Sequence, residues 1–270
     1  MTTARKKIAC LLLPSALMLA GAAQAAAGHL GNVETLGIKT GMTHEEVKAV
    51  LAKTNKPWKE SPPSAGGFFF DQGVGQVYRA RFTATDSSGS EEITLTYSKE
   101  NALFMIKRTT HWNAAARPAL ATAIKTIQEK YGKPTSQRVY SDTEQMYYYT
   151  LDGGKTITAE DLPNKRGYES DATKCYEFDK APPSQFNNPG NLVKQEVLYA
   201  KCGGAFQVFL TPDNPNYPNR SPREIVSTMD IEINDPRVFL DAAQKELFAR
   251  QNKLQDDINK AKASGNKPTL

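Results

Sequence analysis

The sequence predicts an α+β fold: two tandem helix-plus-antiparallel-sheet units followed by a C-terminal helix. Three observations predict it. Residues 47–57 read VKAVLAKTNKP and residues 124–134 read IKTIQEKYGKP, so one helix-ending pattern occurs twice, 77 positions apart. Lys48, Lys53, Lys56 and Pro57 match Lys125, Lys130, Lys133 and Pro134, apolar Val47 and Val50 match Ile124 and Ile127, and Asn55 stands where Gly132 stands. Asn and Gly are the residues that most readily turn left-handed just past a helix end. Downstream, Phe68-Phe69-Phe70-Asp71 is answered by Tyr147-Tyr148-Tyr149, with Asp152 and Gly153 close behind. Finally, the segments between the two helix patterns are aromatic and β-branched, with turn residues separating them, which is how short antiparallel strands read. A helix-then-strands unit used twice is the economical account.

Residues 1–25 have the parts of a secretory signal: Arg5, Lys6 and Lys7, then an apolar stretch over 8–19, then Ala23-Gln24-Ala25 as a small-x-small cleavage site. The stretch is too short to span about 30 Å of hydrocarbon, so cleavage near Ala25 and export to the periplasm or beyond are expected, with no transmembrane anchor. The first unit, 26–113, opens with an extended segment and then Gly41-Met42-Thr43-His44-Glu45-Glu46-Val47. Thr43 and Glu46 form a capping box, and Met42 and Val47 occupy the hydrophobic-staple positions, giving a helix over 44–53. Strands follow at 68–71, 76–84, 91–97 and 103–112. Ile93, Leu95 and Tyr97 alternate with Glu92, Thr94 and Thr96, the mark of one buried and one wet face.

The second unit, 114–234, opens with a helix from about Arg117, with Pro118 in its first turn, to Tyr131, where Gly132 and Pro134 stop it. Its strands are expected at 137–140, 146–151, 194–200, 205–210 and 224–233, with an insertion at 159–191. In the final segment, 235–270, Asp235-Pro236 starts a helix over 237–258. Leu240, Leu247 and Leu254 recur every seventh residue and are expected to pack inside the molecule; the polar tail from Lys260 is expected to fray.

The formal charge of +5 falls to +2 without residues 1–25, whose only charged side chains are Arg5, Lys6 and Lys7. So small a charge gives no reason to expect nucleic acid as partner. Cys10 lies in the signal, which leaves Cys175 and Cys202; in an oxidising compartment they are expected to pair. In the chain-entropy picture such a bond contributes on the order of 3 to 4 kcal/mol, tying the insertion to a core strand.

Catalytic, metal and cofactor signatures are weak. His44 lies in a capped first turn, commonly a solvated place, and lacks the second histidine of a zinc-protease helix. His29 sits near the expected mature N-terminus, and His111 precedes Trp112 at a strand end with no Gly-x-Ser-x-Gly nucleophile anywhere. Gly73-Val74-Gly75 precedes a strand rather than a helix, so it is a turn, not a phosphate loop. No metal, cofactor or catalytic residue is expected. The partner-binding candidates are the proline-stiffened loop 211–223 with Tyr217, Arg220 and Arg223, and the outward rings Tyr147 and Tyr149. Tyr and Arg are enriched at interface hot spots, and a stiff loop loses less entropy on docking.

The Gly-Met-Thr-x-x-Glu-Val-x-x-x-Leu run over 41–51 resembles the helix opening of outer-membrane assembly lipoproteins of the SmpA/OmlA type. The tandem arrangement is similar to the β-lactamase-inhibitor protein fold, whose two helix-plus-sheet units form a saddle with a concave binding face. The lack of catalytic motifs beside a stiff Tyr/Arg loop leads to the expectation of an exported, soluble, non-catalytic protein that binds another envelope or exported protein, as inhibitor, immunity factor or assembly accessory. The alternatives are an exported hydrolase with an acid/base pair on the sheet, using His111, and a protein that binds a small ligand or lipid between helices and sheet.

Overall fold

The structure is a computed structural model, described for residues 29–66, 77–158, 160–161, 201–212 and 224–263. The expectations for the signal segment, the strands at 68–71 and 194–200, the insertion apart from Glu160 and Asp161, and Cys175 lie outside the described residues. The elements are α1 (His44–Leu51), β1 (Lys59–Gly66), β2 (Val77–Asp86), β3 (Gly89–Ser98), β4 (Leu103–Trp112), α2 (Leu120–Tyr131), β5 (Ser136–Tyr140), β6 (Thr143–Leu151), β7 (Cys202–Pro212), β8 (Val226–Asn234) and α3 (Pro236–Ala263).

Among the described residues all eight strands form one antiparallel sheet in the order β1-β2-β3-β4-β8-β7-β6-β5. This corrects the expected α+β architecture of two helix-plus-sheet units: the fold is mainly β, with few helices on one continuous sheet. The physical reason is the seam between β4 and β8, where Met105 to His111 pair with Asn234 to Thr228. Backbone hydrogen bonding there leaves no sheet edge between the two halves, and one core runs across it. Ala80, Leu95, Ile106, Ile233, Phe206 and Tyr148 stand side by side on consecutive strands, and each is at most 2% exposed. Tyr148 stacks on Phe206 at 4.2 Å, 8° from parallel.

The helices cover this face. Thr43 caps α1 with both halves of the capping box made, and Val47 and Leu51 are buried. α1 ends at Leu51, short of the expected end, and Asn55 is not among the described residues with positive φ, whereas Gly132 is, at 82°. The two helix ends are therefore alike in sequence but not in geometry. α2 begins at Leu120, after Pro118, with no side-chain cap.

β1 is a strand that the sequence does not predict, because Pro62 and Pro63 read as a loop. Its pairing with β2 shifts register between Ser61 and Ser64, the irregularity that lets prolines sit on an edge strand. The N-terminal segment is a strap through the body: Leu30, Thr35 and Ile38 are essentially fully buried, Tyr131 Oη donates to the Glu34 carbonyl at 2.8 Å, and Lys130 pairs with Glu34 at 2.6 Å. Among the described side chains of α3 only those near its start pack as expected, and the side chain of Leu247 lies outside the described residues. Val238, Phe239 and Leu240 are buried while Phe248 is 53% and Leu254 62% exposed, because the helix outruns the sheet it covers.

Candidate functional site

Strand alternation divides the tyrosine triplet of β6. Tyr148 enters the core, and Tyr147 and Tyr149 lie on the opposite, wet face of the sheet. Tyr147 is half-buried and meets Phe209 of β7 edge-to-face, 5.9 Å between centroids at 89°. Arg138 of β5 lies 5.2 Å from the Tyr147 ring centre and donates through Nη2 to Tyr147 Oη at 3.1 Å. Gln145 Oε1 accepts from both Tyr147 Oη, at 2.8 Å, and Arg138 Nε, at 3.1 Å. The cluster is thus an aromatic pair with a guanidinium above it, held in place by its own hydrogen bonds.

The same face continues across the seam. Tyr147 is level with Gln207, Glu232, Lys107, Thr94 and Arg81 on successive strands, and these side chains are half-buried or exposed. Thr109 donates to Asp230 at 2.6 Å across the seam. With strands spaced about 4.8 Å apart, the face is about 34 Å wide. Tyr149 shares this face with Tyr147, but it is only 6% exposed and so is not the outward ring the sequence predicts; it lies at a crevice of about 40 Å³ with Ala205, Gln207 and Asn234, whose walls cover it. The loop residues Tyr217, Arg220 and Arg223 lie outside the described residues.

A second feature surrounds His44. Its side chain is 13% exposed and its Nε2 is 2.9 Å from Glu60 Oε1, so it is not the solvated residue that its capped first turn implies. The ring is enclosed by Tyr78 at 5.6 Å, Phe82 at 5.9 Å and Tyr97 at 5.6 Å. Two buried polar atoms here, His44 Nδ1 and Tyr97 Oη, have no hydrogen-bond partner. In the neutral imidazole, the Glu60 carboxylate places the proton on Nε2, leaving Nδ1 as an enclosed acceptor. Burial pushes the Tyr97 hydroxyl pKa well up, so it stays protonated. His44, Glu45, Val77, Tyr78, Ser98, Lys99 and Asn101 line an open cleft of about 430 Å³.

A third cluster joins the strap to α3. His29 places Nδ1 3.1 Å from Asp152 and Nε2 3.3 Å from Asp241, and its backbone N–H donates to Asp235 at 2.6 Å. Thr40 also donates to Asp235, and Arg237 pairs with Asp152 at 3.2 Å. Burial works to lower the His29 pKa, but the bond to Asp241, the charge of Asp235 and the bond to Asp152 outweigh it and raise the pKa. Asp235 is itself pushed up by its burial. Close backbone packing lies behind the cluster: a Cβ on Gly31 would collide with the Gly153 carbonyl, and one on Gly154 with the Leu30 carbonyl. Nearby Cys202 is buried and disulfide-bonded.

His111 is exposed, with its Nδ1 3.1 Å from the Thr228 hydroxyl. Among the described residues no group of three His, Cys, Asp or Glu is placed to hold a metal ion, and no helix is long and apolar enough to cross a membrane. The His44 site had a signal in the sequence, since His44, Val47 and Leu51 fall at i, i+3 and i+7, one helix face. The His29 cluster had none, because its carboxylates come from positions more than 120 residues away. No protein-family model, curated protein or solved structure matches the chain.

Proposed function

We propose that this chain is an exported, non-catalytic binding protein that holds another envelope or exported protein on the wet face of its sheet. The observation that carries this reading is the Tyr147–Phe209–Arg138 cluster. Tyr and Arg dominate interface hot spots, and here they stand on strands, already ordered by hydrogen bonds, so docking freezes little further motion. Lys107 and Glu232 beside the cluster supply charges of both signs for register. The loop carrying Tyr217, Arg220 and Arg223 follows β7, the strand that bears Phe209, and is assigned to the same contact.

The test is affinity capture from native envelope extract with the secreted form of the protein, its disulfide intact. One near-stoichiometric partner is expected. Its retention should fall about tenfold or more when Tyr147→Ala is combined with Arg138→Ala, the loss of one to two hot-spot contacts. The same partner held equally well by that variant would remove the wet face from the proposal, and Tyr217→Ala with Arg220→Ala would then test the loop alone.

The His44 cleft favours a second reading, small-ligand binding. Two unpartnered buried polar atoms beside an open cleft are the feature a hydrogen-bonding ligand would relieve. A fragment screen followed by amide chemical shifts checks it: shifts confined to residues around Tyr78 and Asn101, abolished in Tyr78→Ala, are expected. Shifts that survive Tyr78→Ala, or none, exclude the cleft.

A further inference from the structure

Both ring nitrogens of His29 face carboxylates: Nδ1 stands 3.1 Å from Asp152 Oδ1 and Nε2 stands 3.3 Å from Asp241 Oδ2. A carboxylate only accepts, and a neutral imidazole has one N–H and one lone pair, so the two contacts hold together only in the imidazolium. The raised pKa of the ring agrees with that state. Among the described residues, the charged groups around the ring are Asp152 after β6 and Asp235, Arg237 and Asp241 at the start of α3, with Lys245 behind Asp241. The two carboxylates are unequally held. Arg237 Nη1 lies 3.2 Å from Asp152, whose side chain is 52% exposed, so this anion has a cation and water without His29. Asp241 is less exposed, at 35%, and its pKa is lowered mainly by its bond to His29. The backbone beside Asp152 can also move. Gly153 and Gly154 both have φ of 84°, a region open to glycine, and the Gly153 N–H donates to the His29 carbonyl at 2.9 Å.

We propose that His29 is a proton-operated latch between the N-terminal strap and the turn over 152–154. With the ring doubly protonated, the latch is closed. When the ring loses a proton, its remaining N–H stays on Asp241, and Nδ1 turns a lone pair toward Asp152, where two acceptors oppose each other. Asp152 then turns to Arg237 and water, and the Gly153 N–H leaves the His29 carbonyl. The Asp152 amide stays on the Lys201 carbonyl, at 2.6 Å, so the moving part is the glycine pair. The strap stays seated, because Leu30 is 1% exposed in the core and the His29 N–H remains on Asp235 at 2.6 Å. The opening is therefore local. It comes as pH rises through the folded value of His29, above the ordinary value of about 6.5.

The latch does not rest on the proposed function. Its two readouts are the His29 ring nitrogens and the Gly153 amide, in the secreted form with its disulfide intact. Nitrogen-15 spectra should show both ring nitrogens protonated at about pH 6 and only Nε2 protonated at about pH 9. Over the same range the Gly153 protection factor, corrected for the intrinsic rise of amide exchange with pH, should fall at least about tenfold. It should fall by more than those of Ile106 and Ile233, which face each other in the seam between β4 and β8. His29→Gln, which has no titrating ring, should leave Gly153 protection low and level across the range, with circular dichroism matching wild type. A ring already neutral at about pH 6, or a neutral ring that keeps its proton on Nδ1, overturns the latch. So does a Gly153 protection that merely follows the seam amides, since that is global loss of stability. Those results need no variant and stand even where His29→Gln misfolds. A pH step at Gly153 that persists in folded His29→Gln overturns it as well.

Discussion

Glu91 is a carboxylate on the core face of β3, 6% exposed. It is held by Arg108 through Nε at 3.2 Å and Nη2 at 3.1 Å and by the Lys56 ammonium; Arg108 in turn donates to Thr35. Truncating Glu91 leaves the largely buried Arg108 guanidinium without this counter-charge, while Lys56 keeps Asp86 at 3.4 Å, so Glu91→Ala should lower the unfolding free energy by about 3 kcal/mol in a urea titration. The position was legible, since Glu91 continues the alternation of Ile93, Leu95 and Tyr97 on one face. Its partners were not, because Lys56 and Arg108 arrive from other elements. His29 gives a pH-dependent counterpart. Its folded pKa is raised, so its contribution to stability is fully present below the ordinary histidine value of about 6.5 and is lost as pH rises through the folded value. Asp241, lowered mainly by its bond to His29, acts with the opposite sign, stabilising above the ordinary carboxylate range and failing as pH falls through its own folded value. Urea unfolding across this range should therefore show stability declining above about pH 6.5, and His29→Gln should flatten that decline. An unchanged slope in the variant would place the titration elsewhere.

At the scale of elements, local signals worked where the chain satisfies itself. The α1 start was readable because a capping box is made within four residues, and both of its bonds are present. Thr43→Ala should cost about 1 kcal/mol, read as a lower urea midpoint with an unchanged slope. The strands β2 to β8 were found near their expected places because alternation and turn residues are also local. β1 was not, since Pro62 and Pro63 read as a loop and only an edge position makes them tolerable. The projecting part of α3 shows the same limit. Leu254 reads as one of a packing stripe with Leu240 and Leu247, yet it is 62% exposed, because a 28-residue helix extends about 42 Å and passes beyond the sheet.

For the whole molecule, one sheet with one core implies one cooperative unfolding transition. The chain has two tryptophans, Trp58 and Trp112, both packed against the core beside β1 to β4, so fluorescence reports that half while far-ultraviolet circular dichroism reports the entire sheet. The two transitions should coincide. Separate midpoints would show that the seam between β4 and β8 is weaker than its backbone pairing implies. By itself the sequence determined the existence and order of the helices and most strands, and the alternation that puts Tyr147 outside and Tyr148 inside. It did so because caps, turns and period-two patterning act over a few residues. Only the tertiary structure decided that the strands form one mainly-β sheet, that His44 is enclosed by aromatic rings, that His29 meets Asp152 and Asp241, and that β1 and β5 stand at the two ends of the strand order. Those outcomes depend on which strands become neighbours, and pairing energies between distant segments leave no periodic trace in the chain.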